Sequence, residues 1–168
     1  MKLRNLLSRV LSCTAAAVML AAAVTMPFPE KTAVAAQTAT IANPFIWSDV
    51  PDDDIIRVGN NYYMVSTTMF FTPGAPIMKS NDLVSWEICN YVYDTYANGD
   101  VQNLANGKHD YAHGQWATSL RYHNGYYYVF FGSYGSGKSY IYKTDDIENG
   151  TWTRSEINGM YHDASLLF

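Results

Sequence analysis

Thiols are almost missing from this sequence, and so is positive charge. Of two cysteines, Cys13 and Cys89, the first lies in a segment that reads as cleavable, so one thiol remains and no internal disulfide can form. The fold must then hold by packing, with Cys89 as a small buried hydrophobe. Beyond Ala35, seven Lys and Arg face fourteen Asp and Glu with no basic cluster, a balance that argues against nucleic acid and anionic membranes as partners. Leucine-rich helical stretches are absent too. No window of a dozen residues spaces its apolar side chains three and four apart, so no major helix is predicted.

What is present begins with Lys2, Arg4 and Arg9, a small-apolar run from Val10 through Val24, and Ala33-Val34-Ala35. These features predict a secretory signal peptide over residues 1–35 and an extracellular domain over 36–168. The run is alanine-rich and short of the roughly 20 apolar residues a spanning helix needs, so no membrane attachment is expected once it is removed. Cys13 precedes that run, the wrong side for a lipoprotein cleavage box. The remainder is rich in aromatics, with Tyr alone contributing 14 residues, which points to sheet.

From Ile55 onward short apolar-aromatic runs alternate with Gly, Asn, Asp and Pro, the punctuation of β-hairpins. Arg57-Val58-Gly59-Asn60-Asn61-Tyr62-Tyr63-Met64-Val65 matches Arg121-Tyr122-His123-Asn124-Gly125-Tyr126-Tyr127-Tyr128-Val129 at a shift of 64. At that shift Ile77-Met78-Lys79-Ser80-Asn81-Asp82-Leu83 falls on Ile141-Tyr142-Lys143-Thr144-Asp145-Asp146-Ile147, and Trp86 answers Trp152 after a slip of two. Each copy predicts four strands, the sheet of a β-propeller blade, which buries its faces only against neighbours. A β-sandwich with similar hairpins is the rival architecture. A third copy is expected to begin at Asp163-Ala164-Ser165-Leu166-Leu167-Phe168, which repeats the pattern of Asp52-Asp53-Asp54-Ile55-Ile56-Arg57; an open pair of sheets would leave faces exposed, so the chain is read as incomplete.

In a propeller the residue opening each innermost strand points to a shared cavity. Those positions hold Asp52, Trp116 and Asp163. Two carboxyls with an indole suit glycoside cleavage, which needs acid and base groups beside a flat surface for a sugar ring. The same aspartates could equally cap turns by satisfying backbone amides.

Pro51-Asp52-Asp53-Asp54-Ile55-Ile56-Arg57-Val58-Gly59-Asn60-Asn61-Tyr62-Tyr63 resembles the opening blade of family-43 glycoside hydrolases. Pro73-Gly74-Ala75-Pro76-Ile77 with Ser80-Asn81-Asp82-Leu83-Val84-Ser85-Trp86, then Gly114-Gln115-Trp116-Ala117, then His162-Asp163-Ala164-Ser165-Leu166 look like that family's landmarks in order. The resemblance covers nearly everything after Asn43 and is greatest to β-xylosidase and α-arabinofuranosidase members. It implies an all-β, five-bladed β-propeller of which two blades and the start of a third are present. It further implies that Asp52 is the general base, that Asp163 orients the general acid and raises its pKa, and that Trp116 and Phe70 line the sugar subsite. The family usually has proline after the base where this chain has Asp53, which leaves Asp52, Asp53 and Asp54 as contenders. The family's acid is a glutamate of a later blade; Glu87, Glu148 and Glu156 match no such motif, so it is expected beyond Phe168 and the fragment alone should be inactive. The implied reaction is inverting hydrolysis of xylo- or arabino-oligosaccharides, leading with exo-acting release of terminal pentose. No cofactor is required, and a structural calcium is possible in the full-length propeller.

A non-catalytic carbohydrate-binding propeller is the competing function, and two carboxylates at converging positions argue against it. Fructan- and sialoside-cleaving propellers use an Asn-Asp-Pro-Asn-Gly run or an arginine triad, and neither occurs here. Gly132-Ser133-Tyr134-Gly135-Ser136-Gly137-Lys138-Ser139 satisfies a phosphate-loop pattern, but strand-forming Tyr140-Ile141-Tyr142 follows it where a helix N-terminus is required, so it reads as a hairpin turn. His109 and His113 stand four apart in a loop and read as exposed, not as zinc ligands. His162 reads equally as a polar partner in the cavity floor or as packing, and Asn149-Gly150-Thr151 is an incidental sequon in a turn.

Overall fold

The computed structural model describes residues 41–97 and 99–168, so the predicted signal peptide, residues 1–35, and Cys13 lie outside the described residues. The predicted all-β class is found. The first sheet comprises β1 (Asp54–Val58), β2 (Asn61–Val65), β3 (Gly74–Ser80) and β4 (Glu87–Tyr93). The second comprises β5 (Gln115–His123), β6 (Tyr126–Ser133), β7 (Lys138–Thr144) and β8 (Thr153–Asn158). Both are antiparallel meanders with strands in chain order.

Local chemistry dictates the corners. Asn124 (φ 48°) and Gly125 (φ 83°) close β5–β6 with two left-handed residues, the type I′ turn that Asn-Gly favours because its twist suits the strands. Gly59 (φ 62°) opens the two-residue β1–β2 loop, as a type II′ turn requires. After β3, Ser80 Oγ accepts from the amides of Asp82 and Leu83 while Asp82 Oδ1 accepts from those of Val84 and Ser85. After β7, Thr144 Oγ1 accepts from Asp146, whose own Oδ1 accepts from Glu148 and Asn149. The two predicted Ser/Thr-x-Asp turns are thus the same device. Residues 134–137 form the β6–β7 turn, as read for the glycine-rich run.

The shift of 64 needs a correction in the first two strands. The pairs closing the hairpins are Val58 with Asn61 and His123 with Tyr126, a separation of 65, whereas Ser80 opposite Tyr62 and Thr144 opposite Tyr127 restore 64 at β3 and β7. The extra residue enters at an irregularity between Gln115 and Thr118. Because side chains alternate faces, a slip of one exchanges them. Tyr63 and Tyr127 therefore do not occupy equivalent places; they meet edge to face across the sheets, ring centroids 5.7 Å apart.

One buried core lies between the sheets. Tyr63, Val65, Ala75, Ile77, Val92, Tyr93 and Tyr96 from the first half meet Leu120, Tyr127, Val129, Phe131, Tyr140, Tyr142 and Ile147 from the second. The Phe131 ring, fully buried, lies within 5.4–5.8 Å of those of Tyr93, Tyr96, Tyr140 and Tyr142, and six of the 14 tyrosines are core. Cys89 is half-buried rather than buried: it packs against this core and burial pushes its thiol up to about 11.

A second link between units repeats. Asp54 Oδ2 accepts from Leu120 N at 2.9 Å, and Ser119 Oγ accepts from Leu166 N at 3.3 Å. With the corrected register, Ser119 is the counterpart of Asp54, and Leu166 of Leu120. The same contact made head to tail is what builds a ring when the rotation closes, whereas a sandwich needs only one interface. Residues 163–168 nevertheless form no strand, contrary to the expected third copy, since no ladder pairs with them among the described residues. Phe168 instead stacks on His123 at 4.6 Å and lies 4.7 Å from Tyr128.

Candidate functional site

Asp52 is exposed and lies in the turn two residues before β1, not at the strand's first residue. Its φ of 51° is incompatible with extended backbone, which is why the strand starts later. The turn is pinned to the end of β2: Thr67 N and Ser66 Oγ donate to Pro51 O, each at 3.1 Å, and Thr67 Oγ1 donates to Asp52 Oδ2 at 3.1 Å. Asp163 has φ 47° and is likewise exposed. The two acids predicted to be equivalent thus adopt the same left-handed conformation, which Asp tolerates better than most residues.

Asp52, Asp53 and Asp54 separate in space. Asp54 meets Arg121 Nη1 at 2.5 Å, and Asp53 is exposed beside Pro44 and Phe45. Of the three, Asp52 combines exposure with a hydroxyl donor, Thr67, from the segment just after β2.

Gln115 joins this turn to Trp116. Fully buried, it accepts at Oε1 from Thr68 N (2.8 Å) and Thr68 Oγ1 (2.9 Å), and donates from Nε2 to Ser66 O, Trp116 O and Thr118 Oγ1. Its own amide donates to Met69 O at 2.8 Å. Gly114 makes this approach possible, since a Cβ there would lie 2.1 Å from Met69 O. Trp116 follows at the irregularity of β5, a place where such distortions re-aim side chains. Its Nε1 donates to Ala112 O at 3.2 Å, with Tyr134 4.7 Å and His162 5.4 Å from its ring. His162 Nε2 lies 3.4 Å from Asp163 Oδ2, which favours the polar-partner reading of that histidine.

Trp116, His162 and Asp163 therefore form one cluster, and Asp52 is tied to it through Thr67, Thr68 and Gln115. Phe70 is set apart from these contacts: it stacks on Phe71 at 4.4 Å and lies 5.2 Å from Tyr111, on the loop that Gln115 holds. His109 and His113 are exposed, and His109 Nδ1 accepts from Tyr111 N. Among the described residues no group of three or more His, Cys, Asp or Glu is placed to hold a metal. Sequence reasoning passed over Thr67, Gln115, Tyr134 and Arg121. Gln115 stood inside a quoted motif, but nothing in the sequence marks its burial. An exposed carboxylate bonded to a hydroxyl can accept a proton, and an aromatic face such as that of Trp116 can stack a sugar ring.

The profile of glycosyl hydrolases family 43 matches residues 41–168. A non-reducing end alpha-L-arabinofuranosidase from Bacteroides ovatus is 33% identical over 134 residues, covering 77% of this chain and 24% of the relative. A beta-xylosidase from Formosa agariphila is 33% identical over 115 residues, covering 68% and 19%. The solved structure of a bifunctional GH43-CE protein of Bacteroides eggerthii superposes with a TM-score of 0.73 at 50% identity, over 76% of this chain and 18% of that one. The chain thus spans about a quarter or less of the length of these relatives.

Proposed function

The chain belongs to the glycosyl hydrolases of family 43, and from that premise we propose that it supplies the base-bearing part of a secreted, inverting hydrolase of xylo- or arabino-oligosaccharides, built as a five-bladed propeller. The observation that carries this is the matched left-handed turn at Asp52 and Asp163, with Trp116 at the corresponding place between them. Asp52 takes the proton of a water held opposite the leaving group, and Thr67 Oγ1 fixes which carboxylate oxygen is free to do so. Inversion leaves about 6.5–9.5 Å between base and acid for that water. The acid is a glutamate outside this chain, kept protonated by the negative charge of Asp163, while Trp116 and Phe70 wall the subsite. The Lys2 to Ala35 segment directs export, and a saccharide is the partner.

In the full-length protein, Asp52→Asn should lower kcat on aryl xyloside or arabinofuranoside by roughly 10²–10⁴-fold with sugar affinity retained by calorimetry. Turnover near that of the parent would show that the base lies elsewhere. Sugar binding with no turnover by the parent would favour the carbohydrate-binding reading.

A further inference from the structure

Arg121 on β5 touches both neighbouring units. Its Nη1 reaches Asp54 Oδ2 at 2.5 Å, Nη2 donates to Ser165 Oγ at 2.5 Å and Nε donates to Leu166 O at 3.1 Å. Asp54 stands two residues after Asp52, and Ser165 two residues after Asp163. We propose that Arg121 is a positioning residue of the glycosidase site: one guanidinium clamps the start of β1 and the segment that follows Asp163, and so sets the spacing and angle at which Asp52 and Asp163 face the sugar. The proposal rests on the roles given above to those two aspartates.

Three features support a geometric role. The guanidinium is a rigid planar fork with several donors, so it fixes its partners in direction as well as distance. Asp52 and Asp163 both sit in left-handed turns whose following residues, Asp54 in one and Ser165 and Leu166 in the other, are the ones Arg121 holds; a displacement of about 1 Å there is enough to cost roughly 10²-fold in rate. Finally, the same segments already hold to β5 without it, through the bonds to the amides of Leu120 and Leu166, and the two sheets share a core. A half-exposed ion pair adds little to stability, and what Arg121 adds is triangulation.

The test uses the full-length protein with Asp52→Asn and Lys79→Ala as references, because Lys79 makes an ion pair between the sheets at 2.8 Å with Glu148 away from the candidate site. Arg121→Ala should lose kcat by roughly 10²-fold with KM within about threefold. Its alkaline limb of kcat/KM should move to lower pH, since a displaced Asp163 no longer holds the acid protonated. Arg121→Lys should recover part of kcat, and Lys79→Ala should leave kcat and the limb unchanged. The clamp is overturned if Arg121→Ala keeps both kcat and its alkaline limb while Asp52→Asn is inactive, or if Lys79→Ala loses as much. An active Asp52→Asn refutes the site reading first and the clamp with it. Should Arg121→Ala not fold, Ser165→Ala, which removes one exposed hydroxyl, should shift the limb the same way; an unmoved limb overturns the proposal.

Discussion

The two sheets share one plan and use it for different ends. Their third strands end in the same hydroxyl-and-carboxylate turn, and their inner strands hand the same side-chain-to-amide link to the next unit. They diverge where the plan faces the candidate site. The place of Asp52 in the first copy belongs to Trp116 in the second. The connection leaving β4 runs over residues 94–114, whereas only residues 159–162 separate β8 from Asp163. Regular strands are the repeated frame, and the copies differ in the residue before the inner strand and in the length of the connection that leaves the sheet.

The largest break in this comparison should come from Phe131, whose counterpart under the corrected register is Ser66. Phe131 fills the interface between the sheets, so Phe131→Ala should cost about 3–5 kcal/mol in urea unfolding. Ser66 bonds only Pro51 O and Thr67 O through its hydroxyl, and Ser66→Ala should cost about 1 kcal/mol. Equal losses would show that the register assignment is wrong. The hairpins give a smaller contrast. Gly125 needs φ 83°, and Gly125→Ala should cost about 1–2 kcal/mol, while Asn60→Ala, at the second place of the other hairpin, should stay within about 0.5 kcal/mol.

The smallest effect separates by pH. Glu148 lies between the sheets, and hydrogen bonds from Lys79 and from Tyr63 hold its carboxyl below the usual range, while burial pushes the Tyr63 phenol up with Glu148 adding to the shift. A depressed folded-state value means that the unfolded chain takes up the proton first as pH falls. The contribution is therefore complete above the unfolded value of about 4.3 and disappears as pH drops through the folded one. Glu148→Gln should be less stable than the parent by about 1 kcal/mol at neutral pH, and the difference should shrink as pH falls below about 4.3. A constant difference between pH 7 and pH 3 would show that charge has no part in this tie.

Hairpin corners were legible because turn chemistry is local: Asn124-Gly125, Ser80-x-Asp82 and Thr144-x-Asp146 each fold within a few residues. The register of β6 was not. Tyr126 through Phe131 is apolar or aromatic at every position, as a strand covered on both faces tends to be, so nothing in it marks which face is which. Likewise Asp52, Trp116 and Asp163 stood out through repetition, whereas Thr67, Gln115 and Arg121 act through partners 15 to 67 residues away.

By itself, then, the sequence determined strand content, corners, the repeat and the family, because propensity, turn geometry and motif order are written over short spans. Only the tertiary structure decided that Asp54 serves the sheet interface while Asp52 stays exposed, that Tyr63 meets Tyr127, and that one arginine touches the segments on both sides of its own sheet. Those choices depend on which face of each strand meets its neighbour, and a single inserted residue in β5 changes that without altering the pattern on either side.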